Sequence, residues 1–321
     1  MLCRNTNTEI FHFVATREKE KQNKTSFFSS APFLVSETSL SLSLSMSKGP
    51  GLFSDIGKKA KDLLTKDYSY DQKFTITTYS DAGVALTSTA VKKGGFSAGD
   101  VAAQYKYKNA VIDVKVDTES NISTTFTFTE ILPSTKTIAS FKVPDYNSGK
   151  LEVQYFHYHA TFTTAVALNQ SPAVDLSATI GTPSIAFGAE AGYNSTSGSF
   201  TKYTAGISVT KPDSSASIIL TDKGDTLRAS YVHHLDQLKR SAAVGEITRR
   251  FSTNENTFTV GGSYMVDPLT VVKARLNNNG NLGALLQHEL KPKSVLTISG
   301  EFDTKALDKN PRFGLALALK P

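Results

Sequence analysis

From about Gln72 to the last residue, apolar and polar side chains alternate with a period of two, and the alternation restarts after nearly every turn signal. Successive side chains of a strand point to opposite faces, so this pattern sets one face in an apolar medium and the other in a polar one. Ile112, Val114 and Val116 oppose Asp113, Lys115 and Asp117. Phe126 and Phe128 oppose Thr125, Thr127 and Thr129, and Val272, Ala274 and Leu276 oppose Lys273, Arg275 and Asn277. Such a chain is all-β, and its function depends on the two media that its strands separate.

Length alone, 321 residues, suggests about two domains, but single β-barrels of this size are common. The mean hydropathy is -0.21, and no apolar run reaches the ~18 residues of a transmembrane helix. Neither fact excludes a membrane, because a transmembrane barrel dilutes its apolar residues with polar ones facing the lumen. The formal net charge of +6 is scattered, with no arginine-rich block or helix of the kind that reads nucleic acid. A diffuse positive potential favours small anions instead.

Cys3 is the only cysteine, which removes intramolecular disulfides and cysteine-based metal sites. His157 and His159 would share one strand face, while His233 and His234 would point to opposite faces. A two-histidine metal site is conceivable, but no nearby carboxylate completes it at helical spacing and aromatic polar residues near a strand end are the plainer reading, so no metal or cofactor is expected. The chain contains no G-x-x-x-x-G-K-[ST], no G-x-S-x-G and no H-E-x-x-H, and nothing in it resembles an enzyme's active site.

Three unequal parts follow from composition. Residues 1–45 are serine-rich, end in Leu40-Ser-Leu-Ser-Leu-Ser45 and lack a basic-then-apolar signal peptide. They read as a disordered leader or as sequence upstream of a start at Met46, with a transit peptide as the alternative that Glu9, Glu18, Glu20 and Glu37 disfavour. Removing the five basic and four acidic residues of this part lowers the net charge only from +6 to +5.

A helix is expected over about Pro50 to Lys66, within a helix and linker segment at 46–70. Proline suits a first helical turn, and Leu52, Phe53, Ile56, Ala60, Leu63 and Leu64 fall within an arc of about 120° at helical spacing. Asp55, Lys58, Lys59, Lys61, Asp62 and Lys66 occupy the other face. Ahead of an all-β chain, this helix must plug, cap or flank the sheet, and its lysines also suit a membrane surface.

Residues 71–321 read as a meander of about nineteen strands, punctuated by turns such as Asp81-Ala82-Gly83, Asn147-Ser-Gly149, Asp222-Lys-Gly224 and Asn277-Asn-Asn-Gly280. The strands have the length a tilted transmembrane strand requires, and a sheet in lipid must close to leave no unpaired edge. An odd count makes the first and last strands parallel at closure. Since barrels of about 16 to 18 strands enclose a channel that side chains cannot fill, a barrel of this size is a pore by geometry.

At this point the residues resemble a family. Tyr264-Met-Val-Asp267-Pro-Leu-Thr270-Val-Val-Lys-Ala274-Arg275-Leu276-Asn277-Asn278, continuing through Asn279-Gly-Asn-Leu to Gly283-Ala284-Leu285-Leu286, is similar to the signature of the eukaryotic mitochondrial porins, the voltage-dependent anion channels. Lys48-Gly-Pro-Gly-Leu52-Phe53-Ser-Asp55-Ile56-Gly57-Lys58, with Leu63-Leu-Thr-Lys66 after it, resembles the N-terminal helix of the plant branch. The end of the chain resembles the mitochondrial β-signal, with Arg312 and Gly314 as its polar residue and glycine and Leu317 and Leu319 as its spaced apolar residues.

The resemblance covers Met46 to Pro321 and implies a transmembrane up-and-down β-barrel of nineteen strands with an amphipathic helix in the lumen. It implies passage of ATP, ADP, phosphate and ions across the mitochondrial outer membrane. Its implied partners are membrane lipids, these small anionic metabolites and the outer-membrane assembly machinery, with a homo-oligomer left open. Some relatives of this kind carry a lipid-facing glutamate in an early strand, and here Val114 stands near that place. Of a nucleotide-contacting stretch, Gly283, Asp303 and Lys305 match.

Side-chain direction then gives an expectation about selectivity. Opposite clear apolar faces stand Lys73, Lys106, Lys108, Lys115, Lys142, Arg228, Lys273 and Arg275, which should line the pore, with Asp113 and Asp117 tempering Lys115. A wide basic pore gives weak anion preference, because hydrated ions meet a field screened over about 8 Å. The lysine-rich helix is the candidate voltage sensor, each charge crossing the membrane being worth about 2.3 kcal/mol per 100 mV. Readings from other classes are a soluble all-β binding protein, with Tyr105, Tyr107, Phe126, Phe128 and Phe162 as core, a non-conducting membrane scaffold, and a polypeptide translocase.

Overall fold

The computed structural model describes residues 49–306 and 311–320; the leader expected at 1–45, and Met46 to Lys48 of the helix motif, lie outside them. Nineteen strands form one sheet in chain order. The first seven are β1 (Gln72–Tyr79), β2 (Val84–Lys93), β3 (Phe96–Tyr107), β4 (Ala110–Asp117), β5 (Ile122–Thr129), β6 (Thr135–Val143) and β7 (Lys150–Phe156). Next come β8 (Ala160–Ala167), β9 (Ala173–Gly181), β10 (Ile185–Asn194), β11 (Ser199–Thr210), β12 (Ser214–Thr221) and β13 (Thr226–His234). The last six are β14 (Ser241–Arg250), β15 (Glu255–Asp267), β16 (Thr270–Asn277), β17 (Asn281–Lys291), β18 (Ser294–Asp303) and β19 (Arg312–Leu319).

Each strand pairs antiparallel with the next, and the sheet closes where β1 lies parallel to β19, Gln72 to Ile76 alongside Leu315 to Leu319. The parallel seam follows from the odd count, as the sequence predicts, and closure removes the free edges.

Register carries the alternation round the barrel. Phe74 lies beside Ala90 and Leu317, Ile112 between Tyr105 and Phe126, and Leu286 between Val272 and Ile298. This face is a continuous exposed apolar surface that includes Leu86, Phe141, Phe162, Phe187, Ile247 and Phe258. A patch of that extent has no place in water and fits hydrocarbon. Val114 lies on it, paired with Ala103 and Thr124, so no carboxylate marks the lipid-facing side at that place. Tyr105, Phe126, Phe128 and Phe162 stand on the same outer face and so form no enclosed core.

The N-terminal segment departs from the single helix expected over Pro50 to Lys66. Phe53–Asp55 forms one 3-10 turn, Ile56 is extended, Gly57 takes the left-handed conformation at φ 74°, and helix α1 covers only Lys58–Leu64. Glycine has no Cβ to oppose that conformation, so it breaks the helix without strain. Lys66 lies beyond the helix. The apolar arc survives the break because both pieces dock on one wall.

Candidate functional site

Residues 50–70 run as a belt along one face of the sheet, from β8 round to β19. Thr161 donates a hydrogen bond to the Pro50 carbonyl at 2.8 Å. Phe53 and Ile56 lie over Gly188, and Ile56 also over Gly206. Ala60 and Leu64, 2% and 3% exposed, pack with Val232 and Val244, and Leu63 joins their edge. Thr161, Gly188, Gly206, Val232 and Val244 all alternate with the exposed apolar residues, so the belt lies on the inner, polar face and narrows the lumen. Burying Ile56 and Leu64 favours docking by about 1.5–3 kcal/mol each, before the cost of ordering the chain.

Glycines in strands β10, β11, β15, β17 and β19 make room for the belt. A Cβ at Gly188 would come 2.6 Å from the Phe53 ring, one at Gly261 would come 2.8 Å from Leu64 and one at Gly283 would come 3.3 Å from the Tyr68 ring. At Gly314 it would collide with the Ser69 carbonyl. The sequence reading missed Gly188, Gly206 and Gly261. The signal was there, because glycine within a strand marks close approach of another backbone or a bulge.

After α1 the belt is tied down by polar contacts. Arg275 on β16 donates to the Leu64 carbonyl at 2.6 Å and to the Tyr70 hydroxyl at 2.7 Å. It also pairs with Glu301 on β18 at 2.9 Å and sets its guanidinium 4.5 Å from the Tyr68 ring centroid. Tyr70 donates to Glu301, Ser299 donates to the Ser69 carbonyl, and Lys273 pairs with Asp67 at 3.3 Å. Burial pushes the Tyr68 phenol up to about 12, and its hydroxyl has no hydrogen-bond partner among the described residues. Burial, and then the bond to Glu301, raise Tyr70 as well.

Asp55 and Lys59 border a small gap against the wall at Ser208, Ser217 and Ser230. Lys58, Lys59 and Lys61 are exposed, and Lys58 pairs with Asp55 at 3.2 Å. Burial and the nearby Lys239 lower the Lys59 ammonium below the usual lysine value. Beneath Leu52, Phe53 and Ile56 lies a hollow of about 310 Å³, whose wall includes Lys150, Glu152, Gln154, Asp175, Glu190 and Lys202.

Of the eight expected pore-lining basic residues, all but Lys108 face inward, in three groups. Lys73, Lys106 and Lys142 are exposed on the inner face and carry no ion pair among the described residues. Lys115 and Arg228 also face inward, with carboxylates beside them: Asp100 at 3.0 Å and Glu246 at 3.7 Å. Lys273 and Arg275 are committed to the belt. Lys108 corrects the expectation, for it occupies the turn after β3 at φ 48° with its ammonium 5.4 Å from the outward Tyr107 ring. Asp113 and Asp117 share the inner face with Lys115, and Asp113 accepts a hydrogen bond from Gln104 at 2.8 Å.

Sequence reasoning passed over Lys202, which reaches Glu190 at 2.5 Å and Asp175 at 3.4 Å across neighbouring strands. A bulge at Gly192/Tyr193 shifts the register there and masks the alternation near Phe200.

The nucleotide-contact candidates are only partly brought together. Asp303 pairs in register with Asn281, and Lys305 donates to the Asn278 carbonyl at 2.7 Å, both at one rim. Gly283 lies farther along β17, where Tyr68 and Arg275 cover its inner side. In the assembly-signal stretch Arg312 and Gly314 face inward and Leu317 and Leu319 outward. No three metal-binding side chains cluster among the described residues, and no described helix is long and apolar enough to cross a membrane.

Residues 49–314 match the family model described as eukaryotic porin. The chain is 72% identical over 276 residues to mitochondrial outer membrane protein porin 2 of Arabidopsis thaliana, covering 86% of this chain and 100% of that one. It is 67% identical over 274 residues to mitochondrial outer membrane protein porin 5 of Oryza sativa subsp. japonica, covering 85% of this chain and 99% of that one. Among solved structures, a mutant of the Rh. blastica porin is similar with a TM-score of 0.44 and 8% identity, over 76% of this chain and 94% of that one.

Proposed function

The chain belongs to the eukaryotic porin family, a family of channels, and from that membership we propose that it is a voltage-gated, weakly anion-selective pore of the mitochondrial outer membrane, passing ions and small metabolites such as ATP, ADP and phosphate. The observation that carries the reading is the division of the closed wall into an apolar outer face and a charged inner face, with only a thin belt along the inside. The names of the two plant relatives support the location.

Weak anion preference follows from how the inner charges are distributed. Lys73, Lys106, Lys142, Lys59 and Lys61 are exposed to the water column with no ion pair among the described residues, while Lys58 pairs with Asp55 of the belt itself. The field of each is screened over about 8 Å, so a wide pore favours hydrated anions without excluding cations. For gating, Asp55, Lys58, Lys59, Lys61, Asp62 and Lys66 give the helix region a net charge of +2. Carried through the full potential, two charges are worth about 4.6 kcal/mol at 100 mV, enough to invert an equilibrium between open and narrowed states.

Planar-bilayer recording of the full chain in a KCl gradient tests this reading. Large conductance steps, an anion-favouring reversal potential and closure toward smaller steps at both polarities are expected. A silent bilayer with folded, inserted protein would remove the channel and leave a non-conducting scaffold.

A further inference from the structure

Arg275 does not have the surroundings of a selectivity charge. A basic residue acting through the pore field needs water on its charged end, whereas this guanidinium is largely covered, its side chain 22% exposed. Its donors are spent on three acceptors from three parts of the molecule: the last carbonyl of α1, the Tyr70 hydroxyl in the linker and the Glu301 carboxylate on β18. Its planar face lies against Tyr68. Both glycines beside this junction face inward and leave no spare room, since a Cβ at Gly283 would lie 2.9 Å from the Arg275 Nε and one at Gly314 would collide with the linker backbone.

From this we propose that Arg275 is a positioning residue, a clamp that fixes the segment Leu64–Tyr70 against β16–β18 and thereby holds α1 flat on the wall in the wide state of the pore. Gating movement is then centred on the belt N-terminal to the clamp, where Gly57 breaks the helix and the hollow beneath Phe53 and Ile56 leaves space. The inference rests on the channel reading for its electrical consequence but not for the clamp itself.

Lysine separates the two roles. Arg275→Lys keeps the charge on the wall and removes the planar fork that reaches several acceptors at once while stacking on a ring. A wall charge would tolerate that change, and a clamp would not. Arg275→Gln removes charge and fork together, and Lys106→Gln is the control for an exposed wall charge.

Two measurements on the full chain, refolded in detergent, decide the matter. In amide hydrogen exchange followed by mass spectrometry, Arg275→Lys and Arg275→Gln should both speed exchange at Lys61 and Thr65 at least tenfold. These amides bond to the Gly57 and Lys61 carbonyls. The strands away from the belt, and all of Lys106→Gln, should exchange as in the parent. In bilayers Arg275→Lys should keep the parent's reversal potential yet raise the ratio of narrowed to open states at least tenfold at low voltage.

Parent-like exchange and gating in Arg275→Lys would overturn the clamp. A parent chain that is silent in bilayers would overturn the channel reading, and exchange would still judge the clamp. Should Arg275→Gln fail to refold, Tyr70→Phe removes a single hydroxyl from the junction and must loosen α1 in the same direction, or the proposal falls.

Discussion

Gly314→Ala tests whether the inner wall is shaped to receive the belt. A Cβ at this position would stand 2.6 Å from the Ser69 carbonyl carbon and 2.9 Å from the Ser299 hydroxyl, and closer still to the Ser69 oxygen. Carbon atoms separate to about 3.5 Å or more, so something must move by about 1 Å. The strand is held on both sides, by β18 and by the parallel seam with β1, whereas the linker has no ladder of its own. The linker therefore yields.

A displacement of that size breaks the bond from Ser299 to the Ser69 carbonyl and stretches the Arg275–Tyr70 contact, 2.7 Å in the parent, out of hydrogen-bonding range. Losing one neutral bond at about 1 kcal/mol and one charge-assisted bond at about 1.5–3 kcal/mol weakens docking by about 2–4 kcal/mol. That corresponds to a roughly 30- to 1,000-fold shift toward undocked belt. With tyrosines labelled at the ring ζ-carbon, NMR titration reports docking, because burial against the wall is what pushes the Tyr68 phenol up to about 12. In Gly314→Ala it should fall toward the ordinary tyrosine value near 10.

Refolding in detergent involves no assembly machinery, so the assay is blind to any role of Gly314 in the β-signal. Gly300→Ala is the control, since that glycine faces outward and its Cβ would meet only phenylalanine rings at 3.4 Å. A parent-like Tyr68 titration in Gly314→Ala would refute the argument that this glycine exists to seat the linker.

Two further outcomes follow from the same geometry. Neutralising Lys73, Lys106 and Lys142 together by glutamine should move the reversal potential in a KCl gradient markedly toward the cation side, whereas removing Lys115 with Asp100, or Arg228 with Glu246, should leave it nearly unchanged. Belt docking should weaken as pH rises through the window from about 10 to about 12. Below that window Tyr68 is neutral in both states; within it the undocked phenol ionises while the buried one does not, so the docked state binds more protons and loses stability with rising pH. Faster exchange at Lys61 and Thr65 at pH 11, corrected for the intrinsic rate, measures it.

The wall was legible in the sequence because its rules are local. Period-two alternation and turn residues such as Asp81-Ala82-Gly83 each act within one hairpin, so strands and faces could be read from residue types, while the count of nineteen that sets the parallel closure leaned also on the resemblance. Lys108 shows the limit of that reading, since one residue decides whether a side chain belongs to a strand face or to the turn beyond it. The helix shows a second limit. Leu52, Phe53 and Ile56 keep helical spacing with Ala60 and Leu64, yet Gly57 breaks the segment, because packing on a curved wall asks only that the apolar residues reach it.

The belt's anchorage could not be read at all, and the reason bears on function. Tyr70 and Arg275 are 205 residues apart and meet only because closure of the barrel brings β16 to β19 round to the start of β1. Alternation assigns Arg275 to the inner face correctly, but it cannot tell whether water or a neighbour occupies that face. For a pore this distinction decides the chemistry. On the channel reading proposed above, inward basic residues met by water would set selectivity, and those met by the belt or by a carboxylate would hold structure in place. Lys73, Lys106 and Lys142 belong to the first group, Lys273 and Arg275 to the second, with the same residue types in the same alternation. The number of inward basic residues therefore overstates the positive field that permeating ions would meet, and variants should be chosen by partner and exposure before basic residues are counted.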